Sequence, residues 1–167
     1  FVTLITPGLG LVRARAQGVR RPGAKLAAAL ATYAESSCVL VHGREGWRIA
    51  GAVLEENWFM RVERSAARET ATRVSGLLLR LVAGEAHEAK LFPIIIGFFE
   101  ALSRLPEDAY EAAEALAVLR ILAALGLDAG DIPGEASEFT PELLAEIRTV
   151  RTEYVARINR GIAASGL

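Results

Sequence analysis

Residues 2–17, VTLITPGLGLVRARAQ, decide how the first third of the chain is read. Leu11, Arg13, Arg15 and Gln17 fall on one parity, and Val12, Ala14 and Ala16 on the other. Strict alternation marks a half-buried strand, because successive side chains point to opposite faces of a sheet. The outward face of this strand then carries both arginines. Upstream, Phe1–Thr6 is rich in β-branched and apolar residues, and Pro7-Gly8-Leu9-Gly10 supplies a turn whose glycines tolerate positive φ. Residues 1–17 are therefore expected to form a β-hairpin.

The same pattern continues downstream. Gly18–Ala24 (GVRRPGA) reads as a basic loop, and Lys25–Thr32 as a short helix or an extended crossing. Ser37–Val41 and Trp47–Val53 form a second hairpin around Gly43-Arg44-Glu45-Gly46. Short strands with glycine-rich turns suggest a small barrel or sandwich. From Glu55 the apolar period rises from 2 to about 3.6. Val62, Ala66, Thr70, Val74, Leu77, Leu78 and Leu81 define a first long helix that Gly84 ends. A second helix, about Lys90–Arg104, is apolar on nearly every side and is expected to be central, with Pro93 in its first turn. A third spans about Glu107–Leu125, with Leu116, Leu119, Leu122 and Ala123 inward. Beyond the polar linker Asp128–Glu138, Thr140-Pro141-Glu142 starts one last helix with a stripe from Leu143 to Ile162. Trp58, Phe59 and Met60 are expected as core between the two parts.

Composition narrows the function classes. The chain has 167 residues, 52% of them hydrophobic and 23% charged, so it has the material for a core and is not a disordered polymer. Opening on Phe1, it is expected to be a fragment, a processed form or an incomplete gene model. One cysteine and two histidines leave no disulfide framework and no multi-cysteine zinc site. The longest apolar run, Leu91–Phe99, is far shorter than the roughly 20 residues that cross a bilayer. No signal peptide is read at the start.

Catalytic signatures are weak. Cys38 sits in an apolar strand and reads as a small hydrophobe; His42 ends that strand, and His87 precedes a helix. Gly8-Leu9-Gly10 precedes a strand rather than a helix, so it lacks the amide funnel of a phosphate loop. Glu55-Glu56 reads as solvated charge. The chain is not expected to be an enzyme, and no cofactor or metal is expected.

Charge is the stronger signal. The net value of −1 hides a division: residues 1–54 carry seven basic and two acidic residues, a net +5, whereas the remainder is −6. A basic segment of this size is attracted to polyanions. Arg13 and Arg15 share one strand face about 7 Å apart, near the spacing of phosphates on a stretched single strand. Arg20, Arg21 and Lys25 extend the patch. Five phosphate contacts would give a log K against log salt slope of roughly −3.5 to −4.5. Trp47 and Tyr33 are the nearby aromatic candidates for base stacking, so binding is expected to be dominated by the sugar–phosphate backbone.

Residues 2–52 resemble the N-terminal OB-fold domain of the RecO family of bacterial recombination mediators. Val2, Thr3, Leu4, Thr6, Gly10, Ala14, Ala16, Gly18, Val19, Arg20 and Arg21 fill the family pattern, while Gln17 replaces a usual basic residue. SGLLLRLVAGEAHEAKLFPIIIGFFEAL and VLRILAALGL resemble the family's C-terminal helices. The resemblance implies an α+β protein: a small, incomplete OB-like β-barrel over residues 1–54, lacking its opening strand, and an all-helical domain over 55–167. It also implies binding of single- and double-stranded DNA, strand annealing and RecA loading. The partners would be RecR and the C-terminal tail of single-stranded DNA-binding protein, in the cytoplasm at the nucleoid. Arg13, Arg15, Arg20, Arg21 and Lys25 inherit the DNA-contact role. Many members carry a four-cysteine zinc site after the "LG" helix; the linker Asp128–Glu138 has no cysteine, so zinc is not expected. The alternative is a helical protein-interaction module whose basic β face binds an acidic protein tail.

Overall fold

The structure, a computed structural model, describes residues 1–17, 25–82 and 84–167. Among these the chain is α+β, with one open four-stranded sheet and seven α-helices. Strands β1 (Val2–Thr6) and β2 (Gly10–Ala16) form the first hairpin, and helix α1 (Lys25–Ala29) precedes the second, β3 (Ala34–Gly43) and β4 (Gly46–Asn57). The sheet order is β1-β2-β4-β3, with β2 and β4 parallel. β1 and β3 are therefore edges, and the expected barrel is not closed among the described residues. β4 runs past Leu54 to Asn57, so the change to helical structure comes later than the apolar period suggests. Two bulges, at Glu35/Ser36 and Val39/Leu40, leave Glu55 and Ala50 without partners and add twist to the β3–β4 ribbon.

The helical part comprises α2 (Trp58–Arg61), α3 (Ser65–Leu81), α4 (Leu91–Arg104), α5 (Tyr110–Ala124), α6 (Pro141–Thr149) and α7 (Arg151–Ala164). None of the described helices is long and apolar enough to cross a membrane. The helix expected to be central, α4, is covered on both sides, and α5 is more central still. It packs against α3, α4, α6 and α7, and Ala112, Ala113 and Ala117 let those neighbours approach closely. α4 is apolar all round for a different reason: α3 and α5 cover it on one side, and β1 and β2 on the other. Thr140 caps α6 as its sequence suggests, its Oγ1 accepting the Leu143 amide at 3.3 Å. The final helix is not continuous. Val150 (φ −110°, ψ 19°) breaks it within a β-branched run, and Thr149 bonds back to the Glu146 carbonyl at 2.7 Å. Both halves still face α5, which explains the unbroken apolar stripe.

Sheet and helices share a joint. Leu11 exchanges two backbone hydrogen bonds of 2.9 Å with Ala86, and its side chain is buried in the helical core. Trp58 is buried, donates from Nε1 to Glu35 at 2.9 Å and stacks on Phe99. Phe59 and Met60, expected beside it in the core, are exposed. Gly10 has φ +70°, and a Cβ there would lie 2.1 Å from the Ala86 carbonyl oxygen. Gly10→Ala meets both strain and collision; it should lower the thermal midpoint by several degrees in a calorimetric scan.

The linker after α5 is shaped by two buried arginines. Arg120 donates to the carbonyls of Pro133, Ala136 and Glu138, and burial pulls its pKa down to about 10, so it stays cationic at pH 7. Arg157 pairs with Asp128 and donates to the Asp131 carbonyl at 2.8 Å. Both members of that pair are about nine-tenths buried. Arg157→Met strands the carboxylate and should cost on the order of 3–5 kcal/mol in urea unfolding. The hydrogen bond from Arg157 holds Asp128 below the ordinary carboxylate range. Its contribution is therefore present above about pH 4 and lost as pH falls through the lowered value. Wild type should lose stability on acidification more steeply than Asp128→Asn.

Candidate nucleic-acid interface

The alternation of β2 has the expected outcome. Val12 and Ala14 are fully buried, while Arg13 and Arg15 are exposed on the opposite face. The turn before them is fixed by Thr6, whose Oγ1 accepts the Leu9 amide at 2.9 Å and donates to the Gly10 carbonyl at 3.2 Å. The hairpin register sets Thr3 opposite Arg13.

The parallel β2–β4 pairing adds a third cation. Its register matches Arg15 with Arg48, and the antiparallel β3–β4 register matches Arg48 with Val41. Neighbouring strands lie about 4.8 Å apart, so two guanidinium stems stand side by side on one exposed face. Like charges placed directly opposite are unfavourable. At the β1 side, the exposed Phe1 ring lies under both hairpin arginines, 5.2 Å from the Arg13 guanidinium carbon and 5.6 Å from that of Arg15. A row of Phe1, Arg15, Arg48 and Val41 thus crosses the sheet, with Arg13 beside it.

Neutralisation is slight. Arg15 donates to Glu45 at 2.6 Å, an exposed pair within the β-rich part itself. Among the described residues, Arg13 and Arg48 enter no ion pair. Glu85, from the stretch before α4, accepts the backbone amide of Arg13 at 3.2 Å. Arg20 and Arg21 lie outside the described residues; Lys25 opens α1, and its side chain lies outside them too.

Both aromatic candidates are placed elsewhere. Tyr33 (φ 63°) packs on Phe99 of the helical core, 5.0 Å between ring centroids. Trp47 is opposite Ala14 in the register, on the inner face, with His42 edge-on to it at 4.7 Å. Sequence reading missed Arg48 and Phe1. Arg48 joins the patch only through a parallel pairing of strands far apart in sequence; no local pattern announces it.

Other chemistry is sparse. Cys38 is half-buried in β3, and burial pushes its thiol pKa up, away from a reactive thiolate. Among the described residues no three His, Cys, Asp or Glu side chains gather as a metal site. A hollow of about 630 Å³ lies beside the Asp128–Arg157 pair, lined also by Asp131, Tyr154 and Arg160. Its buried arginine is already committed to the linker. No family model matches the chain, and no curated protein matches it.

The Arg15–Glu45 pair is too exposed to contribute much stability. Glu45→Gln should leave the thermal midpoint within about a degree of wild type, yet raise the salt needed to elute the protein from a heparin column.

Proposed function

We propose that this chain is a non-enzymatic nucleic-acid-binding protein that works as a recombination mediator of the RecO kind. Its main support is the exposed row of Arg15 and Arg48 with Arg13 alongside, two of the three without a carboxylate partner among the described residues. Placing like charges in register is unfavourable for the fold alone and becomes favourable when phosphates bridge them. Arg20, Arg21 and Lys25 follow this face in sequence and belong to the same proposed contact set.

The topology lends support to an OB-like reading of the first part. A hairpin, a short helix and a second hairpin, joined by parallel β2 and β4, leave β1 and β3 as the edges that one further strand would link into a five-stranded barrel. In this reading the sheet binds single- and double-stranded DNA, the protein promotes annealing and RecA loading, and RecR and the tail of single-stranded DNA-binding protein are partners.

Fluorescence anisotropy with short labelled oligonucleotides in a salt series tests it. Three phosphate contacts give a slope of about −2 on single strands, and further cations steepen it. Arg13→Ala with Arg48→Ala should weaken all sequences about equally and reduce the slope by about 1.4. Capture of an acidic peptide with no oligonucleotide binding would replace this reading with a protein-tail receptor.

A further inference from the structure

The outward face of the sheet does not end at its arginines. Ser37, Val39 and Val41 point outward from β3, and Val53 stands opposite Ser37 on β4. Val39 is 62% exposed, Val53 66% and Val41 42%. Three open valines on neighbouring strands are unusual at the edge of a sheet, where charged residues commonly guard against pairing. Gly51 lies in their midst, opposite Val39. A Cβ at Gly51 would meet nothing within 4 Å among the described residues, so packing does not call for a glycine there. Glycine inside a strand weakens it and marks either a bulge, such as the one beside it at Val39/Leu40, or a place where something approaches the backbone closely; with no Cβ, Gly51 leaves its backbone open on this face.

We infer that Val39, Val41, Gly51 and Val53 form a trough for the unstacked bases of a single strand whose phosphates lie on Arg15 and Arg48. This deepens the nucleic-acid reading and rests on it. Arg48 and Gly51 are about 10 Å apart along β4, so a chain running along the cationic row can lay its bases toward the valines. The faces of bases are apolar and hidden in a duplex, but splayed and available in a single strand. A surface that joins guanidiniums to methyl groups therefore prefers single strands, whereas the arginines alone do not discriminate. A second copy of the chain fits this face less well, because it would bring a second set of like-charged arginines against the first.

The experiment compares single- and double-stranded oligonucleotides of equal length by anisotropy. The triple variant Val39→Thr, Val41→Thr, Val53→Thr keeps the β-branched shape while removing apolar contact. It should weaken single-strand binding about fivefold, leave duplex binding within twofold, and leave the salt slope unchanged. Gly51→Thr is the second variant. Filling open space in a strand should hold or raise the thermal midpoint, yet lower single-strand affinity, so a loss cannot be attributed to unfolding. Equal effects on both substrates, or none, overturn the trough while leaving the cationic surface standing. If wild type binds neither substrate in a salt-sensitive way, the nucleic-acid reading fails and the trough with it. Sedimentation showing a dimer that the triple variant dissolves would instead assign the valines to self-association and overturn the inference.

Discussion

Strand parity at Leu11 governs the arrangement. Leu11, Arg13 and Arg15 share one face of β2, so the residue locked into the helical core and the two outward cations are set by the same alternation. Within two residues that face passes from fully buried to solvent. The paired hydrogen bonds between Leu11 and Ala86 fix the sheet on the helices at this point, and only glycine fits before it. Slipping β2 by one residue would put arginines into the core and Val12 into water, a change no neighbouring contact could offset.

Two cores are served by this arrangement. Val12, Ala14, Ala29 and Ile49 lie buried under the sheet, whereas Leu11 and Trp58 belong to the larger helical core. A β-rich segment of under 60 residues has little burial of its own. Its attachment through Leu11, Trp58 and the half-buried Tyr33 ring supplies what the sheet lacks, which explains why an aromatic next to the basic segment packs on the helical core.

Much of this was legible from periodicity. The first hairpin, the Thr140 cap, the inward leucines of α5 and the outward arginines all follow from local alternation, helical spacing or capping chemistry. The failures share a cause as well. Arg48 needed the parallel register of β2 with β4; the central place of α5 depended on alanines whose value lies in closeness rather than hydrophobicity. The break at Val150 was hidden because both halves of the stripe face the same neighbour. The extension of β4 to Asn57 was masked by Glu55 and Glu56, which look like the start of a helix but continue a bulged strand. Barrel closure could not be read from strand count alone, since it depends on whether β1 and β3 find a common partner.

The linker between α5 and α6 has a consequence of another kind. Its carbonyls are gathered by the guanidiniums of Arg120 and Arg157. Such contacts cannot be stripped by a chelator or lost to oxidation, and they persist wherever arginine stays protonated. The turn they hold therefore keeps its shape in the presence of chelators and oxidants alike.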